Sequence, residues 1–357
     1  MIIERYIFKK CLFNTFLVLF AFVMLFAIFT ILSELGSIGK GNFTMFSMLI
    51  YITALVPSFT YLLLPLAVLI GVMLGMLSLV NYSEYAIIRT SGVSLRRITA
   101  ILTTYGLIFA IITLILGEMV APQADHFAKA YKISKLKELV STNLQSGIWS
   151  KDGQNTFVNI KQVMPNDTIL GINVFYYNEE LQLQKYMYAN EGEFNKATRV
   201  WHLKNVTINE YTPNGIISST KANKEWQTSI DPTYFSVLVV APEEMSAFAL
   251  MKYISHLEDN NQSVRRYDIA FWGKLIYPIA CLSMALLAIA FIPNNRRNVN
   301  LGSKLFVGII VGVSFFFVNK LVGYMAVLFS WNPVLSAIGP TAILFACGWY
   351  FILHKEK

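Results

Sequence analysis

The chain has 357 residues, 55% hydrophobic and only 14% charged, with a mean hydropathy of +0.52. A typical soluble domain carries about 25% charged residues, so these proportions exclude an ordinary water-soluble enzyme. The net charge of +8 must be located along the chain before it can be assigned to nucleic acid or to a membrane.

Charge-free stretches at Cys11–Ser33, Gly41–Ser83, Ile98–Gly117, Leu275–Asn295, Leu305–Asn319 and Leu321–His354 mark bilayer-spanning helices, which need about 20 apolar residues. The short fifth stretch becomes a full span if Lys320 snorkels to the interface. Six helices are expected, at 11–33, 48–80, 98–120, 271–293, 303–325 and 334–354. A cleaved leader is not expected, because no small-residue cleavage pattern follows the first apolar run.

The second helix contains Pro57 and Pro65, which remove backbone hydrogen bonds and favour a bend around a cavity. Phe22 and Phe26 of the first helix and Leu63 of the second are candidates for its apolar wall. The connection Asn81–Arg97 is too long for a turn. Within it Ser83 can cap a short helix, Glu84 suits its positive end and Gly92 can stop it. Such a helix is a docking knob for a motor subunit; otherwise the connection is a loop whose arginines only fix topology.

The polar stretch Ala121–Asp268 holds 15 basic and 16 acidic residues, which leaves 14 basic against 5 acidic in the membrane part, a balance of +9. The overall charge is therefore a membrane property and gives no nucleic-acid footprint. Arg5, Lys9, Lys10, Arg89, Arg96, Arg97, Arg296, Arg297, Lys304, Lys355 and Lys357 all fall on one side of a six-helix topology. By the positive-inside rule both termini are cytoplasmic and 121–268 lies outside. No cysteine falls in the exported part, so it must hold itself together by packing alone.

From about Ser146 to Ser236 short alternating runs are separated by turn residues. Lys151-Asp152-Gly153 signals a hairpin; Val158 and Ile160 alternate with polar neighbours, and Ile172, Val174 and Tyr176 repeat the pattern after Pro165-Asn166-Asp167. Trp201 and Leu203 alternate, and Val206 and Ile208 continue in shifted phase, which predicts a bulge or register break near Lys204-Asn205. The pattern reads as a sandwich or jelly-roll, flanked by helices at Asp125–Val140 and Glu243–Glu258.

No catalytic constellation is present: the four histidines are dispersed, and neither H-E-x-x-H nor G-x-S-x-G occurs. Nor does the sequence offer a metal site. Lys40, Lys274 and Lys320 sit on the outer side against the general trend, and Lys129 and Lys132 add a pair beyond the third helix. Cations there point to an anionic, phosphorylated lipid headgroup; the alternative is snorkelling without a ligand. Glu118 is a possible partner for one of them.

The segments SEYAIIRTSG, GEMVAPQ at 117–123, GIWSKDGQNTFVNI at 147–160 and RYDIAFWGKLIYP at 266–278 together resemble the LptF/LptG family of lipopolysaccharide-export permeases, its LptG branch above its LptF branch. The resemblance implies an α-helical membrane protein with six transmembrane helices and an inserted periplasmic β-jelly-roll, α+β overall. The implied division is 1–120, 121–268 and 269–357. It further implies the Gram-negative inner membrane, a heterodimer with an LptF-type permease, an LptB-type ATPase dimer and an LptC-type bridge protein, and lipopolysaccharide as cargo. No cofactor is bound by this chain, ATP and Mg belonging to the ATPase. Ser83, Glu84, Tyr85, Ile88 and Arg89 would then form the coupling helix seated on that ATPase. Where family members carry several lysines at the outer end of the first helix, this chain has only Lys40, with Glu34 nearby, so the lipid contacts of that cluster do not carry over; Lys129, Lys132 and Lys274 resemble cationic positions of family members and rank above Lys320 as phosphate contacts. A related lipid-export permease, the LptF role, or a membrane-anchored periplasmic ligand sensor are the alternatives.

Overall fold

The computed structural model describes residues 2–136, 148–152, 155–164, 168–195, 198–212, 215–228, 230, 241–259, 262–292 and 301–355. Six helices are long and apolar enough to cross a membrane. In chain order the helices are α1 (Ile2–Glu34), α2 (Met45–Asn81), α3 (Glu84–Thr90), α4 (Leu95–Ile115), α5 (Ala121–Leu136), α6 (Ala247–Asp259), α7 (Arg265–Ala290), α8 (Leu301–Leu328) and α9 (Pro333–Lys355).

Two spans outrun their expected limits the furthest. α1 begins at Ile2, because its polar first turns continue the helix beyond the apolar stretch. The third span does not stop at GEMVAPQ. A π-helical turn at Leu116–Val120 joins α4 to α5, and Pro122, which lacks an N–H, falls just beyond that widened turn. The expected flanking helix therefore extends the span; its portion past Leu136 lies outside the described residues, as do Arg296, Arg297 and the Pro165-Asn166-Asp167 turn.

α2 is the hub of the bundle. Pro57 and Pro65 sit inside it without ending it, and Leu63 to Val80 is almost wholly buried while most of α1 and α8 presents apolar side chains outward. Water is not the solvent those faces are built for. Small residues bring the backbones together: a Cβ on Gly71 would press on the Thr15 backbone, and one on Gly106 would lie 2.9 Å from the Leu282 Cα. Buried hydroxyls tie the same helices, Tyr105 donating to Thr15 at 2.7 Å, the kind of polar glue that membrane interiors use.

Between the third and fourth spans lies one antiparallel sheet, β1 (Ile148–Lys151), β2 (Thr156–Met164), β3 (Thr168–Tyr177), β4 (Leu183–Asn195), β5 (Val200–Thr212) and β6 (Gly215–Trp226). Each strand pairs with its sequence neighbour. The expected disturbance near Asn205 is present, but the register does not break. Lys204 pairs with Glu191 and Val206 with Ala189, the same offset on both sides. What changes is facing: burial switches phase there, as it does at Gly171 in β3, and both residues take left-handed φ (51° and 65°). The row through Gly171 and Asn205 crosses several strands, so they kink together and keep their apolar side chains on one face. Val158, Ile160, Ile172, Val174, Trp201, Leu203 and Val206 are all fully buried in one cluster, so the sheet turns one apolar face to its core. Trp201 donates its Nε1–H to the Ile230 carbonyl at 2.8 Å, satisfying the polar edge of the largest core side chain.

Candidate functional site

The two ends of the bundle differ in chemistry. α2 is 37 residues long, so its ends are about 55 Å apart at 1.5 Å per residue. Its first turns adjoin α5, and the Asn42 N–H donates to the Lys135 carbonyl at 2.7 Å; its last turn leads into α3.

At the α5 end polar side chains gather, and those of α5, α7 and the π turn reach the segment that returns from the sheet. Lys129 pairs with Glu244. Lys132 pairs with Glu34 at the end of α1, at 2.7 Å, and lies over the Tyr51 ring. Lys274 of α7, almost fully buried, donates to the Met245 carbonyl and lies over the Tyr61 ring. Glu118, carried inward by the π turn, accepts from the Ala247 N–H at 2.9 Å. Ser58 donates to Asp125 at 2.5 Å.

Two open spaces flank this belt. A cavity of about 580 Å³ between α2, α7, α8 and α9 brings Lys274 and Lys320 together with Arg266, Tyr324 and Glu243. An apolar groove of about 750 Å³ runs between α2 and the π turn with α5, past Phe46, Pro57, Met119 and Phe127. Phe22, Phe26 and Leu63 line neither. Leu63 is buried in the packing core, and Phe22 and Phe26 pack against that core, Phe26 meeting Phe59 at 5.9 Å. Lys40 stands exposed on the turn after α1, and neither Lys40 nor Lys320 makes an ion pair among the described residues.

At the other end α3 forms as expected, with one difference. Ser83 takes a left-handed φ of 64° and its hydroxyl does not cap the helix. Gly92, at φ 93°, ends it. Glu84 turns back onto α1, accepting from the Tyr6 hydroxyl at 2.7 Å and from Lys10 at 3.1 Å. The Tyr6 hydroxyl first, then the Lys10 ammonium, holds the Glu84 carboxyl below the usual carboxylate range. Tyr85 and Ile88 plug into the bundle core. Arg89 donates to the Val93 carbonyl at 3.0 Å yet remains exposed. The outward face is instead Tyr82 (70% exposed), Ile87 (66%), Ala86 and Arg89.

The sequence has relatives along nearly its whole length. The profile of "Lipopolysaccharide export system permease LptF/LptG" matches residues 5–354. The chain belongs to the LptF/LptG family. Among curated proteins it is similar to the lipopolysaccharide export system permease protein LptG of Escherichia coli K12, at 27% identity over 99% of both chains. The LptG of Haemophilus influenzae is equally similar, again at 27% over 99% of both. These relatives place the chain on the LptG side of the family and make it a multi-pass transport permease.

In this LptF/LptG-type chain, the residues that sequence reasoning missed are the partners. Glu244, Met245 and Glu34 had no local signal, being far along the chain from the lysines they hold. Ile87 and Tyr82 had one, since an exposed Ile on a seven-residue helix stands out once Tyr85 and Ile88, on one face, are assigned inward.

Proposed function

We propose that this chain is one membrane half of an ATP-driven extractor of lipopolysaccharide in the Gram-negative inner membrane. It works with an LptF-type permease, an LptB-type ATPase dimer that binds ATP and Mg, and an LptC-type bridge protein. The termini and α3 face the cytoplasm; the sheet stands in the periplasm. The outward apolar faces of α1 and α8 leave room for the partner permease.

The observation that carries this reading is the polarity of the bundle: an apolar knob at one end and a lysine-bearing rim beside open apolar spaces at the other. Phosphates of the lipid are captured by Lys129, Lys132, Lys274 and Lys320, with Lys40 at the margin, while acyl chains lie against the apolar groove. The knob drives the other end. Tyr85 and Ile88 root α3 in the core, Glu84 clamps it to α1, and Tyr82, Ile87 and Arg89 offer an apolar surface with one cation to the ATPase.

The test is Ile87→Asp in the reconstituted complex. A carboxylate at the centre of that contact should lower co-purification of the ATPase and ATP-dependent lipid release by roughly tenfold or more, leaving the sheet and bundle folded. Unchanged release would overturn the coupling role of α3.

A further inference from the structure

The rim is not a positive trap as it stands. Its three engaged lysines, Lys129, Lys132 and Lys274, share the rim with four carboxylates: Glu34 and Glu244 in ion pairs with Lys132 and Lys129, Glu118 on the Ala247 N–H and Asp125 on the Ser58 hydroxyl. An anionic headgroup entering that belt meets at least as much negative as positive charge. For the lysines to serve a phosphate, some carboxylates must leave.

Which of them can leave is set by the chain. Glu118 and Asp125 are fixed on the helical turns of the third span, and Glu34 ends α1. Glu243 and Glu244 sit instead on the short Pro242–Glu244 turn that brings the chain back from the sheet to α6. Three helical elements hold this stretch at nearly successive positions: Lys129 of α5 at Glu244, Lys274 of α7 at the Met245 carbonyl, and Glu118 of the π turn at the Ala247 N–H. Glu243, next to Glu244, is the one acid among the described residues lining the cavity that holds Lys274, Lys320 and Arg266.

We propose that Pro242–Ala247 is an internal acidic plug, which occupies the lysine sites of the empty permease and is displaced by the phosphates of the incoming lipid. This rests on the reading of the rim lysines as phosphate sites and adds what competes for them. A phosphomonoester carries about −1.5 to −2 charge at neutral pH and offers more acceptor oxygens than a carboxylate, so it outcompetes Glu244 at Lys129, whereas a singly charged lipid does not. Displacement also frees one of the two chain connections to the sheet, so headgroup capture loosens the tether of the periplasmic domain. The plug thus selects for doubly charged headgroups and reports their arrival.

The experiment uses the full chain assembled with its permease and ATPase partners in nanodiscs, with bisphosphorylated lipid A and phosphatidylglycerol as probes. Glu243→Gln/Glu244→Gln should bind lipid A up to about tenfold tighter, gain affinity for phosphatidylglycerol, and show faster amide exchange over 242–250 without any lipid. In the unsubstituted chain, lipid A should raise exchange over 242–250 and phosphatidylglycerol should not. Lipid A binding unchanged or weakened in the double variant, or protection of 242–250 indifferent to bound lipid A, overturns the plug. Lys129→Gln separates the two ideas. If it leaves lipid A binding intact, the phosphate role of the rim fails; if it weakens binding while the double Gln variant behaves like the unsubstituted chain, the plug alone fails.

Discussion

The sheet and the helical bundle are built from similar apolar residues but are held together differently. The sheet stands between two spans without a cysteine, and it hides its apolar side chains on one face, Trp201 and Trp226 among them. The bundle leaves long apolar faces outward on α1 and α8, because lipid rewards no inward burial of them. Its cohesion comes from close backbone approach and from buried hydroxyls and the buried Lys274. Loss of side-chain volume should therefore damage the sheet most, and gain of volume the bundle.

The largest expected effect is Trp201→Ala. Removing this fully buried side chain and its bond to Ile230 should destabilise the sheet by about 3–5 kcal/mol, read as a lower denaturant midpoint by proteolysis of the sheet in the full chain. Bundle protection should be unchanged; a joint loss would show that the two regions form one cooperative unit. Next is Gly71→Val, whose Cβ would press on the Thr15 backbone. It should lower the thermal stability of the detergent-solubilised bundle by roughly 1–3 kcal/mol and spare the sheet. A tolerated valine would mean that α1 can slide on α2.

The smallest effect concerns the clamp between α1 and α3. The folded carboxyl of Glu84 titrates below its unfolded value, so its contribution is complete above the unfolded value and fades only as pH falls through the lower, folded one. Amide protection of α3 should thus persist from about pH 7 to about pH 4.5, where an ordinary glutamate is half protonated. Lys10→Gln should move its loss to higher pH. Protection that already fades near pH 5 without the substitution would show that the clamp does not hold the carboxyl.

Much of this architecture is legible in the residues. Charges are excluded from stretches long enough to cross a bilayer, so the six spans declare themselves, and the shifted alternation of Trp201/Leu203 against Val206/Ile208 exposes the kink at Asn205. The length of the third span was hidden because its charge-free stretch ends at Gly117, and only the π turn at Leu116–Val120 joins that stretch to α5.

The lysines of the rim were visible by their position, whereas their engagement was not. Lys132 and Glu34 are 98 positions apart, and Lys129 and Glu244 are 115 apart. No local pattern links such groups; packing of α1, α5 and the return segment against α2 does. Likewise the sequence marked Ser83–Thr90 as a knob, and packing decided that Tyr85 and Ile88 root it while Tyr82 and Ile87 face out. Hydropathy and charge act residue by residue and so determine which segments enter the membrane, which alternate as strands and where a helix starts or stops. Pairing of distant charges depends on where whole helices come to lie, so the balance of the rim, and the acidic segment seated in it, belong to the tertiary structure alone.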